Sequence, residues 1–187
     1  MAKLLLKEEI VKIPADCIVT RNNNIFTFSG PLGEQTFDVT PFKFTFIMED
    51  GRILIKSWHG NRKKNNLLYT VGSHLRNNAN GVVKGFKFVL KALYNHFSIQ
   101  LVVADQGKSI TVKNYLGNKI PKVFPVLGKS TASIGDDKDI LIIQGINLND
   151  VSQSAANIIN DCRKKKKYDP RVFLDGIFTI ERATLVE

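Results

Sequence analysis

Five consecutive cations, Arg163, Lys164, Lys165, Lys166 and Lys167, stand just ahead of Phe173, Leu174 and Ile177 in the stretch CRKKKKYDPRVFLDGIF (162–178). Like charges at this density repel one another and ordinarily belong to solvated tails. Here patterned sequence flanks the block on both sides. The chemistry open to such a block is neutralisation of a polyanion, because each Lys or Arg docked on a phosphate releases condensed counterions. Two further segments offer the same chemistry. SWHGNRKKNN (57–66) sets Arg62, Lys63 and Lys64 ahead of a helical pattern, with Trp58 read as a structural anchor at a strand end rather than a stacking face. KNYLGNKIPK (113–122) arranges Lys113, Asn114, Lys119 and Lys122 around a glycine turn, where side chains and backbone amides are exposed together.

The overall charge agrees with these segments. The chain carries a net charge of +10 and a sequence pI near 9.6, the electrostatic footprint of a nucleic-acid binder. The excess is segregated. Residues 1–60 hold 7 cations and 7 anions, residues 61–129 hold 12 cations against Asp105 alone, and residues 130–187 hold 8 cations and 9 anions. Segregation implies a positive face.

Other chemistries find little support. VFPVLGKST (123–131) ends like a nucleotide-binding phosphate loop, but Val123 stands where that motif needs its first glycine, and Pro121 and Pro125 crowd the turn. Lys129 reads as one more exposed cation. No strained G-x-S-x-G elbow occurs, and the paired acids Asp136-Asp137 and Glu49-Asp50 are explained by turns. The expectation is a protein that is not an enzyme and uses no cofactor. His59, His74 and His96 are too scattered, and Cys17 and Cys162 too far apart, for a zinc site; both cysteines read as small buried hydrophobes. No apolar run approaches the roughly 20 residues that span a membrane, and the start lacks a secretory core. A cytosolic or nuclear protein is expected.

The elements that must hold the cations read as α+β. CIVTR, IFTFS, EQTFDVT, FKFTFIM and RILIKSW are strand-like runs punctuated by NNN, GPLG and Asp50-Gly51. A helix follows, capped by Asn66 and stopping near Gly81. The order then repeats: VLKALY, SIQLVVA, SITVKN, a charged connection, DILIIQ, and a helix from about Val151 to Cys162 with an Asp150/Gln153 capping box. VTRNNNIFTFSGPLG (19–33) aligns with the stretch ending KNYLG at an offset of 84. Two tandem modules are predicted, 1–83 and 84–187, each a small, mostly antiparallel sheet packed against one helix. The second carries most of the basic segments.

SWHGNRK, VSQSAANI and RVFLDGIF, in this order and at this spacing, resemble the universal large-subunit ribosomal protein six family, in its archaeal and eukaryotic branch. The closing motif is the most specific part: Arg171, Phe173, Asp175, Gly176, Ile177 and Phe178. The resemblance covers nearly the whole chain. It implies a structural constituent of the large ribosomal subunit that binds rRNA near the stalk base and the sarcin–ricin loop, largely through the second module. Neighbouring large-subunit proteins would be partners, and the site of action would be the cytoplasmic ribosome, with assembly beginning in the nucleolus. On this reading Arg171 joins the RNA-facing cations, while Phe173, with Leu174 and Ile177, fastens the basic run and Asp175-Gly176 forms a structural turn. An RNA- or polyanion-binding module outside the ribosome is the alternative.

Overall fold

The computed structural model of the chain describes residues 5–163, 169 and 171–186. The fold is α+β and divides into two compact units, 1–84 and 85–187. In the first, six strands precede one helix: β1 (Leu6–Lys12), β2 (Ile18–Asn22), β3 (Ile25–Gly30), β4 (Gly33–Asp38), β5 (Thr45–Glu49), β6 (Arg52–Trp58) and α1 (Arg62–Lys84). They form two antiparallel three-stranded sheets, β1-β6-β5 and β2-β3-β4. Side chains alternate across a strand, and the sequence uses this: Phe26 and Phe28 of β3 and Ile53 and Ile55 of β6 are all fully buried. On α1 the buried Leu68, Val71, Leu75, Ala79 and Val82 recur at helical spacing and make one apolar stripe.

The second unit runs through the same order. It comprises β7 (Phe86–Leu93), β8 (Gln100–Ala104), β9 (Ser109–Lys113), β10 (Lys122–Pro125), β11 (Thr131–Ile134), β12 (Ile140–Gly145) and α2 (Leu148–Arg163), and then one additional strand, β13 (Gly176–Thr184). Its sheets are β8-β9-β10 and β11-β12-β7-β13. Unit 2 is thus the arrangement of unit 1 with β13 added along β7, the counterpart of β1. Leu90, Ile110, Leu141, Ile143 and Ile158 are fully buried at the centre of its core, and Ile177 of β13 joins them.

Both helices start earlier than their sequence patterns suggest. Asn61, not Asn66, caps α1: its Oδ1 accepts the Lys64 N–H at 2.9 Å. Asn147, not Asp150, opens α2, accepting the Asn149 N–H on its side chain at 2.9 Å and the Val151 N–H on its carbonyl at 3.1 Å. Helix α1 also runs through Gly81, because Val82 continues the buried stripe, and ends at Gly85, whose positive φ of 66° supplies the left-handed cap.

β1 has no alternating apolar signature because its inward charged residues are satisfied by the helix. The Lys7 ammonium lies 4.6 Å from the centre of the Tyr69 ring, and Glu9 pairs with Arg76 at 3.4 Å. Both cysteines are buried and neither is in a disulfide, and burial pushes the Cys17 thiol above its ordinary range.

Candidate nucleic-acid interface

The basic segment of unit 2 leaves the end of α2 and returns as β13, so its position depends on how those two ends are held. Tyr115, from the KNYLGNK turn, holds both. Its buried hydroxyl donates to the Cys162 carbonyl in the last turn of α2 and lies 3.3 Å from the Asp175 carbonyl just before β13. Burial, reinforced by Cys162, Asp175 and Asp161, keeps this phenol protonated well above its ordinary range. A single side chain therefore ties the last turn of α2 to the residue that leads into β13. The sequence reading passed over this residue, although a tyrosine amid polar turn residues is a signal for a buried hydroxyl bridge.

The rest of KNYLGNK builds the support for Tyr115. Asn114, Leu116 and Gly117 all take positive φ, and the Asn114 side-chain amide donates to the Ser98 carbonyl at 2.9 Å. Asn114 thus locks the turn, while Lys113 and Lys119 stand exposed beside it. Lys122 departs from the expectation of a free cation. Its ammonium pairs with the Asp161 carboxylate at 2.7 Å, reaches the Asp161 carbonyl at 3.3 Å and lies 5.6 Å from the centre of the Tyr115 ring. It is a positive charge set at the negative end of a helix, and it braces the clamp.

The closing motif is only partly the expected knot. Ile177 is buried and Phe173 packs against the core, but Leu174 is 71% exposed. The alternation of an extended segment explains this, since the outward register falls on Leu174. Asp175-Gly176 does not form the turn. The turn lies upstream, where the Asp169 carbonyl accepts the N–H groups of Val172 (3.1 Å) and Phe173 (3.0 Å). Asp175 is instead a buried fastener whose Oδ1 accepts the Asn95 N–H at 3.0 Å. Arg171, its side chain 88% exposed, makes a two-pronged contact with Asp169 at 3.0 and 3.2 Å. That guanidinium holds the Asp169 carboxyl below its ordinary value. Arg163 is exposed at the end of α2; Lys164, Lys165, Lys166 and Lys167 lie outside the described residues.

In unit 1, Arg62, Lys63 and Lys64 occupy the first turn of α1 rather than preceding it, and that turn contains no acid. Cations at a helix N-terminus oppose the macrodipole, so this placement costs stability unless an anion joins them. Lys64 is partly committed within the fold, donating to the Trp58 carbonyl at 3.4 Å and lying 5.9 Å from the Phe44 ring. Trp58 is not a core anchor. The inward register of β6 takes Ile53, Ile55 and Ser57, which leaves Trp58 on the opposite face and 48% exposed.

The LGKST turn has the wrong polarity for a phosphate. The carbonyls of Gly128 and Ser130 accept from the Lys108 ammonium at 2.9 and 2.8 Å. It presents oxygens to a cation where a phosphate loop presents amides.

No family model matches the chain. Curated proteins do, over nearly its full length. It is 34% identical to large ribosomal subunit protein uL6A of Schizosaccharomyces pombe, covering 100% of this chain and 98% of that protein. It is 35% identical to uL6 of Candida albicans (99% and 98%) and 32% identical to uL6 of Methanosarcina mazei (92% and 96%). With identities above 30% and both modules covered end to end, the chain belongs to the uL6 family of large ribosomal subunit proteins.

Proposed function

We propose that this protein is a structural constituent of the large ribosomal subunit, where it binds rRNA near the stalk base and the sarcin–ricin loop. Contact is made chiefly through the second unit: Lys113, Lys119, Arg163 and Arg171, with Lys164–Lys167 between the last two. Arg62, Lys63 and Lys64 of the first unit add a further phosphate contact. Phe173, Asp175 and Gly176 have supporting roles, as do Asn114 and Lys122, which act through the clamp. The work is done on cytoplasmic ribosomes beside neighbouring large-subunit proteins, after assembly that begins in the nucleolus. Recognition is by phosphate neutralisation and the shape of folded RNA.

The observation that carries this reading, beside family membership, is the Tyr115 clamp. The residues that flank the basic stretch, Cys162 at the end of α2 and Asp175 ahead of β13, are held by one buried hydroxyl. Held cations lose less conformational entropy on binding than cations on a free tail. The test is sedimentation of cell lysate through sucrose at low salt and again at about 0.5 M, where exposed charges are screened over a few ångströms. Stoichiometric retention in the large-subunit peak is expected. Migration as free protein, or salt-labile spread over all RNA fractions, would overturn the reading in favour of a general polyanion binder.

A further inference from the structure

Phe178 is the first outward-facing residue of β13, 47% exposed, and stands between two hollows. One, about 390 Å³, lies toward the end of α2 and is walled by Tyr115, Ile159, Arg163 and Ile177. The other, about 380 Å³, lies toward the end of β7 and is walled by Leu93, Tyr94 and Asn95. Leu174, Asp175 and Phe178 line both. The ring rests against Gly176. A β-carbon there would come within 3.0 Å of it, so the absence of a side chain is what lets the ring lie where it does.

We infer that Phe178 is a stacking platform for an unpaired RNA base, with the base's own phosphates reaching Arg163 on one side and Lys91 on the other. This rests on the rRNA-binding reading above and deepens it. Three observations carry it. The ring and Leu174 are large apolar groups left uncovered, which marks a contact surface. The hollows lie at the small end of the range for small-ligand pockets; each has the scale of a nucleotide rather than of a partner's helix or strand. Two cations flank the ring, Arg163 in the lining of the first hollow and Lys91 directly opposite Phe178 on the neighbouring strand, while the acid that lines both hollows, Asp175, is buried with its carboxylate accepting the Asn95 N–H, and Asp139 accepts from the Tyr94 hydroxyl. An apolar ring between cations fits a molecule that is flat and apolar at the base and anionic along its backbone. An apolar protein partner would have no use for the cations. Stacking on an aromatic face tolerates every base, so the site gives shape recognition of a splayed nucleotide rather than sequence readout.

The experiment uses the full-length protein and large-subunit rRNA. Phe178→Leu keeps the apolar volume at this exposed position but removes the aromatic face, and Phe178→Tyr restores it. Stacking of about 1–3 kcal/mol per base converts to a roughly 5- to 150-fold loss of affinity in Phe178→Leu. The salt dependence of binding should stay unchanged, because stacking releases no counterions; Arg163→Gln should lower that slope. Phe178→Tyr should bind like the wild type. In intact subunits, 254 nm irradiation should attach a nucleotide to the peptide bearing Phe178. Unaltered affinity in Phe178→Leu, or a cross-link from this peptide to protein instead of RNA, would overturn the platform and leave the rRNA reading standing. Failure of the wild type to bind rRNA would overturn both.

Discussion

Tyr115 concentrates the chemistry of unit 2 in one hydroxyl. Replacing it with phenylalanine keeps the ring and removes the bridge to the Cys162 and Asp175 carbonyls. A cost of about 0.5–1.5 kcal/mol per lost hydrogen bond is expected, readable in the urea midpoint of unit 2. The pH dependence has a definite sign. Its phenol is raised in the fold, so the protonated form is the one the native state favours. The hydroxyl's contribution is full below the unfolded pKa of about 10 and is lost as the pH climbs through the higher folded value. Wild-type unit 2 should therefore weaken at strongly alkaline pH more steeply than Tyr115→Phe. Equal slopes in the two proteins would refute the clamp. The residue type hinted at a bridge but its partners were not legible: Tyr115 acts across 47 residues to Cys162 and 60 to Asp175, and no local pattern encodes partners that far away. The same limit hid the Lys122–Asp161 pair. Trp58 was misread for a different reason, since a tryptophan's size suggests burial while strand parity decides it.

At the scale of elements, helices were readable by their stripes and misread at their ends. The apolar spacing of α1 begins at Leu67, but the backbone coil begins at Arg62, because Asn61 supplies the cap and the first turn needs no buried face. Asn61→Ala should cost about 1 kcal/mol of unit 1 stability, while Asn66→Ala should be close to neutral. The reverse order in thermal melts would restore the Asn66 cap. Strands with alternating apolar residues, such as β3 and β6, announced themselves. β1 did not, because Lys7 and Glu9 face inward and find Tyr69 and Arg76 on α1. A half-buried face built from an ion pair and a cation over a ring looks like surface in a sequence.

At the scale of the molecule, the repeat was visible as an order of elements, and the structure adds its topology. β1-β6-β5 and β7-β12-β11 correspond strand for strand, as do β2-β3-β4 and β8-β9-β10. Each unit has its own buried sheet faces and its own covering helix, the minimum an independent domain requires. Residues 1–84 and 85–187, expressed apart, should each unfold cooperatively. The second fragment should retain the larger share of rRNA affinity and the steeper salt dependence. Equal affinities in the two fragments would assign binding to both units alike. Among the described residues, what distinguishes unit 2 is the strand β13, which has no counterpart in unit 1; in the sequence the basic stretch 163–167 precedes it.

The bridge of one hydroxyl between the end of α2 and the start of β13 makes folding and binding a single linked equilibrium. A ligand that grips only the bridged form stabilises unit 2 by mass action, by about 2.7 kcal/mol when present at a hundred times its Kd. Reciprocity then requires that whatever loosens the clamp weakens the ligand by the same factor. On the RNA reading, alkaline pH and Tyr115→Phe should loosen the protein's hold on the subunit even though the Tyr115 hydroxyl is spent on carbonyls within the fold. The subunit in turn should protect unit 2 from heat and protease. The rRNA then serves as a chaperone that stays bound after the fold is made.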